Sequence, residues 1–392
     1  MIPDKTKVTP HDIDQAAANV LRTKFAAGLF DHPFTDPALL ASIDSPAHRA
    51  LARAAVIDGA TLLQNRGHVL PQVLGTLHRV AVVGPLAGCA AGATLPCAAQ
   101  HAMAGGYYPD PSTSQIITVA EELADRLPEG ALKVVVNTDG ADGVARAVEA
   151  AKDAALVVVV VGDTAGSCGE SEDRMGLDLI GNQLDLLQAV LATGVPTATV
   201  LIHGRPMTFG GSPNAKWAGG ANKLLDLGSG GHAVLSVWRP GQEGGPGIAD
   251  IILGVAQPGG RLAQPWPRSV GYVHSRAVPW WNLHQGDYDW GNKFPEAGKP
   301  DKPWALADGQ PWSPLFCFGH GVAYSNYSFT AMAVTGAIRS GESNAGVRMP
   351  SGALTVSVTV RDLLGHQPAG STVVQIYSVP LSASRTGQVC DV

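Results

Sequence analysis

Short apolar runs alternate with amphipathic segments through the middle of the chain. The runs richest in β-branched residues are RVAVVG, LKVVVN, LVVVVVG, TATVLI and HAVLSV, which begin at residues 79, 132, 156, 197 and 232. The segments between them carry apolar residues at helical spacing, as in NQLDLLQAVLAT and GIADIILG. Continuous apolar strands that alternate with helices are typical of a parallel sheet covered on both faces. The pattern therefore predicts an α/β fold with a doubly wound, mostly parallel sheet.

The region before this alternation is predicted to be helical. Thr9 is a typical N-cap residue, and the apolar residues that follow, including Ile13 and Val20, share one helical face. The two prolines of DHPFTDP then end the first helix. The segment SPAHRALARAAVIDGATLLQN predicts a second helix from about Pro46 to Gln64.

The last third of the chain changes character twice. From about Gly271 to Gly319 it is rich in Trp, Pro, Asp and Gly, and its tryptophans favour an ordered excursion over a disordered linker. In ALTVSVTVRD, from Ala353, apolar and polar residues then alternate strictly, and STVVQIYSV is a second segment of this kind. Such alternation predicts half-buried antiparallel strands, as in a small and incomplete β-sandwich.

Composition and charge exclude several classes of partner. The 392 residues carry a formal net charge of −6, and only 15% are charged. This balance provides no basic surface for nucleic acid and no polybasic face for a membrane. We also expect no transmembrane helix, because no run approaches the length of about 18 apolar residues. The polar start MIPDKTKVTPHDIDQ has no apolar core of a signal peptide.

Cofactor and metal motifs are not recognised in the sequence, and we expect no cofactor. The five cysteines show no CxxC spacing, and the twelve histidines show no HExxH pattern. GPLAGCAAG does not have the GxGxxG spacing of a dinucleotide site. Cys89 and Cys97 either close a small disulfide loop in an oxidising compartment or remain as buried thiols. Asn326 begins an NYS sequon, which matters only in a secreted protein.

The charged segment CGESEDRMGLDL follows the third of these strands and therefore lies at the carboxyl edge of the sheet, where ligands bind. Repulsion among Glu170, Glu172 and Asp173 would raise the pKa of one of them. A carboxylic acid that stays protonated can donate a proton to a leaving group. Arg174 is predicted to hold the loop by pairing with Asp173 or Glu172. The alternative is a set of solvated charges ahead of a helix N-terminus.

Several motifs in order along the chain resemble glycoside hydrolase family 3, the β-glucosidase type. The most specific is WRPGQEGGPGIADIILGVAQPGGRLAQPWPRSVG. HGRPM is similar to the family's Asn-Gly-Arg-Pro segment, with His203 in place of asparagine. The charged loop and its following helix resemble the family's acid/base loop, with Ile180 where proline is usual. FCFGHGVAYSNYSF resembles the junction that leads into a fibronectin type III-like domain.

This resemblance implies a division of the chain. Residues 1–45 would be a remnant of the end of a (β/α)8 barrel and its linker, and residues 46–270 the α/β sandwich. Residues 271–320 would complete that domain as a long loop and junction. Residues 321–392 would be an incomplete fibronectin type III-like domain. The barrel itself is almost entirely missing from this chain, which suggests a fragment.

The resemblance also implies a retaining exo-β-glucosidase, in which Glu170 is the acid/base, with Glu172 as the alternative. Asp173 and Arg174 would order the loop or bind substrate. No segment of the chain resembles the nucleophile motif of the barrel, so the chain alone is expected to be inactive or weak. A β-linked glucoside or oligosaccharide is the expected substrate, and a barrel domain in trans or self-association the expected partner. A β-xylosidase-type member and a non-catalytic carbohydrate-binding or interaction module are the alternatives.

Roles are also predicted for two further residues, together with the cellular location of the protein. Arg205 in GRP is predicted to pair with a carboxylate inside the α/β domain. Glu243 in PGQEGG is predicted to cap a helix or order its loop. By family resemblance, the protein is expected outside the cell or in the secretory pathway.

Overall fold

The computed structural model describes residues 8–106, 116–209, 228–267, 315–336, 339–342, 348–351 and 354–363. The chain divides into two units, Met1–Ala50 and Leu51–Val392. Part of the sequence-based prediction lies outside the described residues. This applies to most of the Trp-rich excursion and to the second alternating segment, STVVQIYSV, which begins at Ser371.

The first unit is helical, as predicted. Helix α1 spans Pro10–Ala26, and a short 3-10 helix spans Pro37–Ser42. Thr9 caps α1 as expected: its hydroxyl oxygen accepts from the Asp12 amide at 3.3 Å, and the Asp12 carboxylate accepts from the Thr9 amide at 2.9 Å. No residue of α1 is buried, so its apolar face is open to solvent within the described residues.

The second unit is built on a six-stranded sheet. Its strands are β1 (Thr61–Arg66), β2 (Val80–Val83), β3 (Leu132–Val135), β4 (Leu156–Gly162), β5 (Thr197–Ile202) and β6 (His232–Trp238). They lie in the order β1-β6-β5-β4-β2-β3, and every neighbouring pair is parallel except β1 with β6. The predicted doubly wound, mostly parallel sheet is therefore confirmed, and all five predicted strands are present.

Helices cover both faces of this sheet. They are α2 (Pro46–Gly59), α3 (Ala98–Ala104), α4 (Val119–Arg126), α5 (Gly140–Lys152), α6 (Gln183–Leu191) and α7 (Gly244–Ile252). Successive residues of β4 point to opposite faces, so Val158 and Val160 join one core while Val157 and Val159 join the other. Helices α3, α4 and α7 close the first core, and α5 and α6 close the second. Among the described residues, no helix is long and apolar enough to cross a membrane.

The predicted helix from Pro46 to Gln64 is wrong in its last turn. Helix α2 ends at Gly59, and β1 begins at Thr61. Thr61 pairs with Ser236 of β6, and Leu62 with Leu235. Short apolar runs fit a helix or a strand equally well, and here pairing with a strand distant in sequence decides between them.

The last described segments are antiparallel, as the alternating pattern predicts. Strand β7 (Tyr327–Gly336) pairs with β10 (Leu354–Asp362), and β8 (Arg339–Glu342) pairs with β9 (Arg348–Ser351). Asn326, the first residue of the sequon, is exposed and directly precedes β7.

A buried charge network ties three helices together on one face of the sheet. The Asp250 carboxylate of α7 accepts from Arg53 of α2 at 2.6 Å and from Arg126 of α4 at 2.7 Å. Arg126 also pairs with Glu122. Burial by itself raises the pKa of Asp250, but the hydrogen bonds and charges of the two arginines outweigh it and hold that pKa below 3.8. The stabilisation is therefore complete above the ordinary carboxyl pKa and is lost as pH falls through the lowered one.

We expect Asp250→Asn to lower the free energy of unfolding by about 3 kcal/mol, because it removes the buried carboxylate charge that Arg53 and Arg126 share. Urea denaturation at neutral pH measures this loss. The control is Glu149→Gln, which breaks an exposed ion pair with Lys152 and should cost far less, because solvent screens surface pairs. Equal losses in the two variants would show that the buried network contributes no more than a surface pair.

Candidate functional site

The candidate site lies at the carboxyl edge of the sheet, where parallel strands end together. Gly162, Ile202 and Trp238 are the last residues of β4, β5 and β6. Any side chain at Gly162 would place its Cβ 1.8 Å from the Ile202 carbonyl oxygen, so only glycine allows this close approach. The charged loop that follows β4 therefore begins tightly packed against the end of β5.

Asp163, the first residue after β4, anchors the loop. Its side chain is fully buried, and one carboxylate oxygen accepts from Arg174 at 2.9 Å and from the Ser167 hydroxyl at 3.2 Å. The other oxygen accepts from the Gly204 amide at 3.3 Å. A buried carboxylate needs such partners, because burial without them would cost several kcal/mol.

The predicted pairing of Arg174 with Asp173 or Glu172 is therefore wrong. Arg174 instead reaches back to Asp163 and donates its second nitrogen to the Asp178 carbonyl. The Asp178 carboxylate accepts from the Thr208 hydroxyl, which ties the end of the loop to the segment after β5. The pairing follows burial: Asp163 is enclosed, whereas Asp173 is exposed and well solvated.

Arg205 likewise differs from its prediction, because its described bonds go to backbone carbonyls and not to a carboxylate. It donates to the carbonyl oxygen of Ser167 at 3.1 Å and to that of Glu172 at 3.2 Å. The loop lies outside regular secondary structure for much of its length, so its carbonyl oxygens need hydrogen-bond donors from elsewhere. Arg205 fills that role from the segment after β5.

Arg239 was missed by sequence reasoning, although it lies within the most specific motif, WRPGQEGG. It donates to the Ala102 carbonyl of α3 at 2.9 Å and to the Cys168 carbonyl of the loop at 2.7 Å. The sequence pattern that could have identified Arg239 is a charged residue placed between an apolar strand and a Pro-Gly turn. Three arginines thus hold one loop, each from a different segment.

The structure brings Glu170, Glu172 and Asp173 together at the outer surface of this loop. Glu170 and Asp173 are exposed, and Glu172 is half-buried. Within the described part of the chain, no hydrogen bond or ion pair engages their carboxylates. Ser171 between the glutamates has a left-handed backbone, with φ of 65°, so the chain turns sharply there. As far as the described residues extend, the carboxylates of Glu170 and Asp173 are therefore open to solvent.

His203, which stands in the Gly-Arg-Pro segment, is completely buried behind the loop. Its Nδ1 donates to the Arg205 carbonyl at 2.7 Å, and its Nε2 accepts from the Ser236 hydroxyl at 2.8 Å. Its ring also packs against Trp238 and Trp266, with centroids 4.6 and 5.2 Å away. Burial lowers the pKa of His203 to about 4, so the imidazole is neutral and acts as a fixed support.

The loop after β2 reaches the same edge and contains a disulfide. Cys89 and Cys97 are bonded, which decides between the two alternatives that the sequence left open. Cys97 is also the N-cap residue of α3. Cys168 at the start of the charged loop has a free thiol. Within the described ranges, no group of three or more His, Cys, Asp or Glu side chains could hold a metal ion.

Glu243 occupies the N-cap position of α7, as predicted for a helix-capping residue. Its carbonyl accepts from the Gly247 amide at 3.0 Å. The side chain itself makes no capping hydrogen bond in the described residues, and it is buried. That carbonyl bond is the first bond of the helix itself, so capping by the Glu243 side chain is not seen in the described residues, and a role in ordering the loop stays a prediction.

Comparison with known proteins decides the family. The model of the glycosyl hydrolase family 3 C-terminal domain matches residues 60–324, which is most of the chain. The chain belongs to glycoside hydrolase family 3. The match includes the charged loop and the segments that carry its three arginines.

Relatives in this family include glycosidases of different specificity. The chain is 30% identical to the periplasmic beta-glucosidase of Salmonella typhimurium, over 98% of this chain and 48% of that protein. It is 28% identical to a beta-xylosidase of Formosa agariphila, over 93% of this chain and 45% of that protein. The chain thus spans about half the length of these relatives.

A solved structure supports the fold. The beta-glucosidase of Listeria innocua, crystallised with isofagomine, superposes with a TM-score of 0.65 at 20% identity. The superposition covers 92% of this chain and 50% of that one. At this identity the likeness supports the architecture alone.

We expect His203 to make stability depend on pH. Unfolded histidine binds a proton below about 6.5, whereas folded His203 does so only below about 4. Stability should therefore fall as pH drops from 6.5 to 4, by roughly 3 kcal/mol from this residue. Urea denaturation across this range measures the slope, and His203→Asn should flatten it. An unchanged slope in the variant would show that other groups cause it.

Proposed function

We propose that this chain contributes the acid/base residue of a retaining, exo-acting β-glucosidase, and that Glu170 is that residue. The observation that carries the proposal is the placement of Glu170: it is exposed at the carboxyl edge of the sheet, on a loop that a buried ion pair and two further arginines hold. Membership of the family and the beta-glucosidase relative support this class of reaction.

In the proposed mechanism, the Glu170 carboxylic acid protonates the glycosidic oxygen while an aspartate attacks the anomeric carbon. The departing sugar alcohol takes the proton, and a covalent glycosyl–enzyme ester remains. The Glu170 carboxylate then removes a proton from water, which attacks the ester and releases glucose. Glu172 is the alternative acid/base. Asp173 borders the site, and Arg174 orders the loop through Asp163.

The aspartate nucleophile is proposed to come from a (β/α)8 barrel domain, either joined to this chain in a longer protein or supplied in trans. We also propose the domain division that the motifs imply: 1–45 as the end of the barrel, 46–270 as the α/β sandwich, 271–320 as the completing loop, and 321–392 as the fibronectin type III-like domain. The family's C-terminal domain model covers residues 60–324, and this supports the proposal that residues 271–320 belong to the same domain as the sandwich.

Two other functions have specific support. A β-xylosidase activity is favoured by the Formosa relative. A non-catalytic carbohydrate-binding or interaction module is favoured by the uncovered face of α1, where Ile13, Val20 and Phe25 are each more than half exposed. An apolar face of this kind is typical of a surface that self-associates or binds a partner.

We propose a location outside the cytoplasm. The Cys89–Cys97 disulfide forms and persists in oxidising compartments, and the Salmonella relative is named as periplasmic. Asn326 is exposed, so its sequon is open to glycosylation if the protein is secreted through a glycosylating pathway.

Leaving-group dependence tests the assignment of Glu170. The phenol of a phenyl glucoside departs only when its oxygen is protonated. The leaving group of a dinitrophenyl glucoside departs readily as the dinitrophenolate anion, without a proton. We expect Glu170→Gln to slow hydrolysis of the phenyl β-glucoside by about 10²–10⁴-fold and to affect departure of dinitrophenolate far less. The chain is assayed alone and mixed with the part of the Salmonella relative that this chain does not cover, which is proposed to supply the barrel. Turnover by the chain alone should be little or none.

Asp173→Asn is the matched control, because it removes an exposed carboxylate from the same loop. It should leave the leaving-group dependence unchanged. If Glu172→Gln alone shows the acid/base signature, the role belongs to Glu172. If neither glutamate shows it in an active mixture, the proposed function is wrong. The same mixture is assayed with a phenyl β-xyloside. Faster hydrolysis of the xyloside than of the glucoside would favour the β-xylosidase alternative.

A further inference from the structure

The end of β6 directs Arg239 out of the sheet. The register between β5 and β6 shifts at its last pair, so Ile202 lies opposite Trp238. Trp238 has a left-handed backbone with φ of 52°, which is uncommon for a bulky residue. Irregularities of this kind re-aim side chains next to functional sites. The residue that follows is Arg239, whose side chain bridges the loop and α3.

The guanidinium of Arg239 joins two elements that have no other described hydrogen bond between them. One nitrogen donates to the Ala102 carbonyl at 2.9 Å, and the other donates to the Cys168 carbonyl at 2.7 Å. Helix α3 is a firm support, because Ala99, Ala102 and Met103 are completely buried. Cys168 lies two residues before Glu170 in the sequence.

Two glycines make room for the Arg239 side chain. A Cβ at Gly105 would lie 2.6 Å from Arg239 Cδ, and a Cβ at Gly204 would lie 3.0 Å from Arg239 Nε. The first distance is shorter than real Cβ contacts, and the second is tighter than most of them, so a larger residue at either position would crowd the Arg239 side chain. A planar guanidinium suits this narrow position, because it presents donors on two sides in a fixed fork.

We propose that Arg239 is a positioning residue for the acid/base: it fixes the start of the charged loop to α3 and thereby sets where Glu170 stands. This inference rests on the proposed function of Glu170. Arg239 acts through the loop backbone and not by contact with substrate. Arg205 donates to the carbonyls of Ser167 and Glu172, and Arg174 to that of Asp178. Arg239 adds a bond at Cys168, two residues before Glu170, and this bond ties the loop to α3.

The free thiol of Cys168 reports the position of the loop without any need for catalysis. A Cβ at Gly204 would lie 2.5 Å from Cys168 Sγ, so the thiol packs directly against the Gly204 backbone. Release of the Cys168 carbonyl from Arg239 should move the thiol away from this surface. Its reaction with a maleimide, followed by mass spectrometry of the peptide that contains Cys168, measures that movement.

The test compares Arg239→Met, Arg239→Lys and the unchanged full chain. We expect Arg239→Met to speed labelling of Cys168 by about tenfold, because two charge-assisted hydrogen bonds are lost. Arg239→Lys retains one bond and should give an intermediate rate. The control is Arg146→Met, which removes an arginine that donates to the Asn137 carbonyl elsewhere, and it should leave the rate unchanged.

Labelling of Cys168 at an unchanged rate in both Arg239 variants would overturn the proposal. If Arg239→Met does not fold, the lysine variant decides by the same measurement.

With the barrel domain added, Arg239→Met should lower kcat for the phenyl glucoside more than for the dinitrophenyl glucoside, with KM little changed. The proposal would also be overturned if Arg239→Met speeds labelling of Cys168 but does not change kcat, while Glu170→Gln still shows its leaving-group dependence. If Glu170→Gln has no effect either, the proposed function has failed, and faster labelling then supports only the anchoring of the loop.

Discussion

The buried ion pair between Asp163 and Arg174 is the constraint on which the candidate site depends. A parallel strand that ends inside the protein leaves its next residue enclosed, and here that residue carries a charge. Enclosing a carboxylate is unfavourable unless donors surround it. Arg174 is the donor that comes from the far side of the loop, so satisfying the charge of Asp163 also closes the loop. The carboxylates that lie between them are turned outward as a result.

Further support for the loop comes from arginines that bind backbone oxygens. Arg205 and Arg239 donate to carbonyls that have left regular secondary structure, so they satisfy the loop without neutralising its acidic side chains. This arrangement leaves Glu170 free of protein partners in the described residues while the backbone around it is held at both ends. A proton donor needs such a combination, because its position must be fixed and its carboxyl group must remain available.

The support behind the loop is apolar and neutral. His203 is enclosed by Trp238 and Trp266 and keeps its ring uncharged, so it adds rigidity without a competing charge. On the other side of the sheet, the network around Asp250 joins three helices by charges that are also buried. In both places, ionisable groups serve structure when they are enclosed, and the exposed loop is where such groups stay free for chemistry.

The sequence by itself determined the five parallel strands β2 to β6, because continuous β-branched runs encode a parallel sheet locally, and its motifs determined the family. It also placed Glu170 at the edge where the sheet ends, although its catalytic role stays a prediction. Only the tertiary structure decided that β1 is a strand, and that Arg174 pairs with Asp163 and Arg239 with two carbonyls. Periodicity specifies which face of an element is buried, but not which distant element covers it. A buried charge takes whichever partner the assembled sheet brings within reach, and that choice is made only when the whole fold has formed.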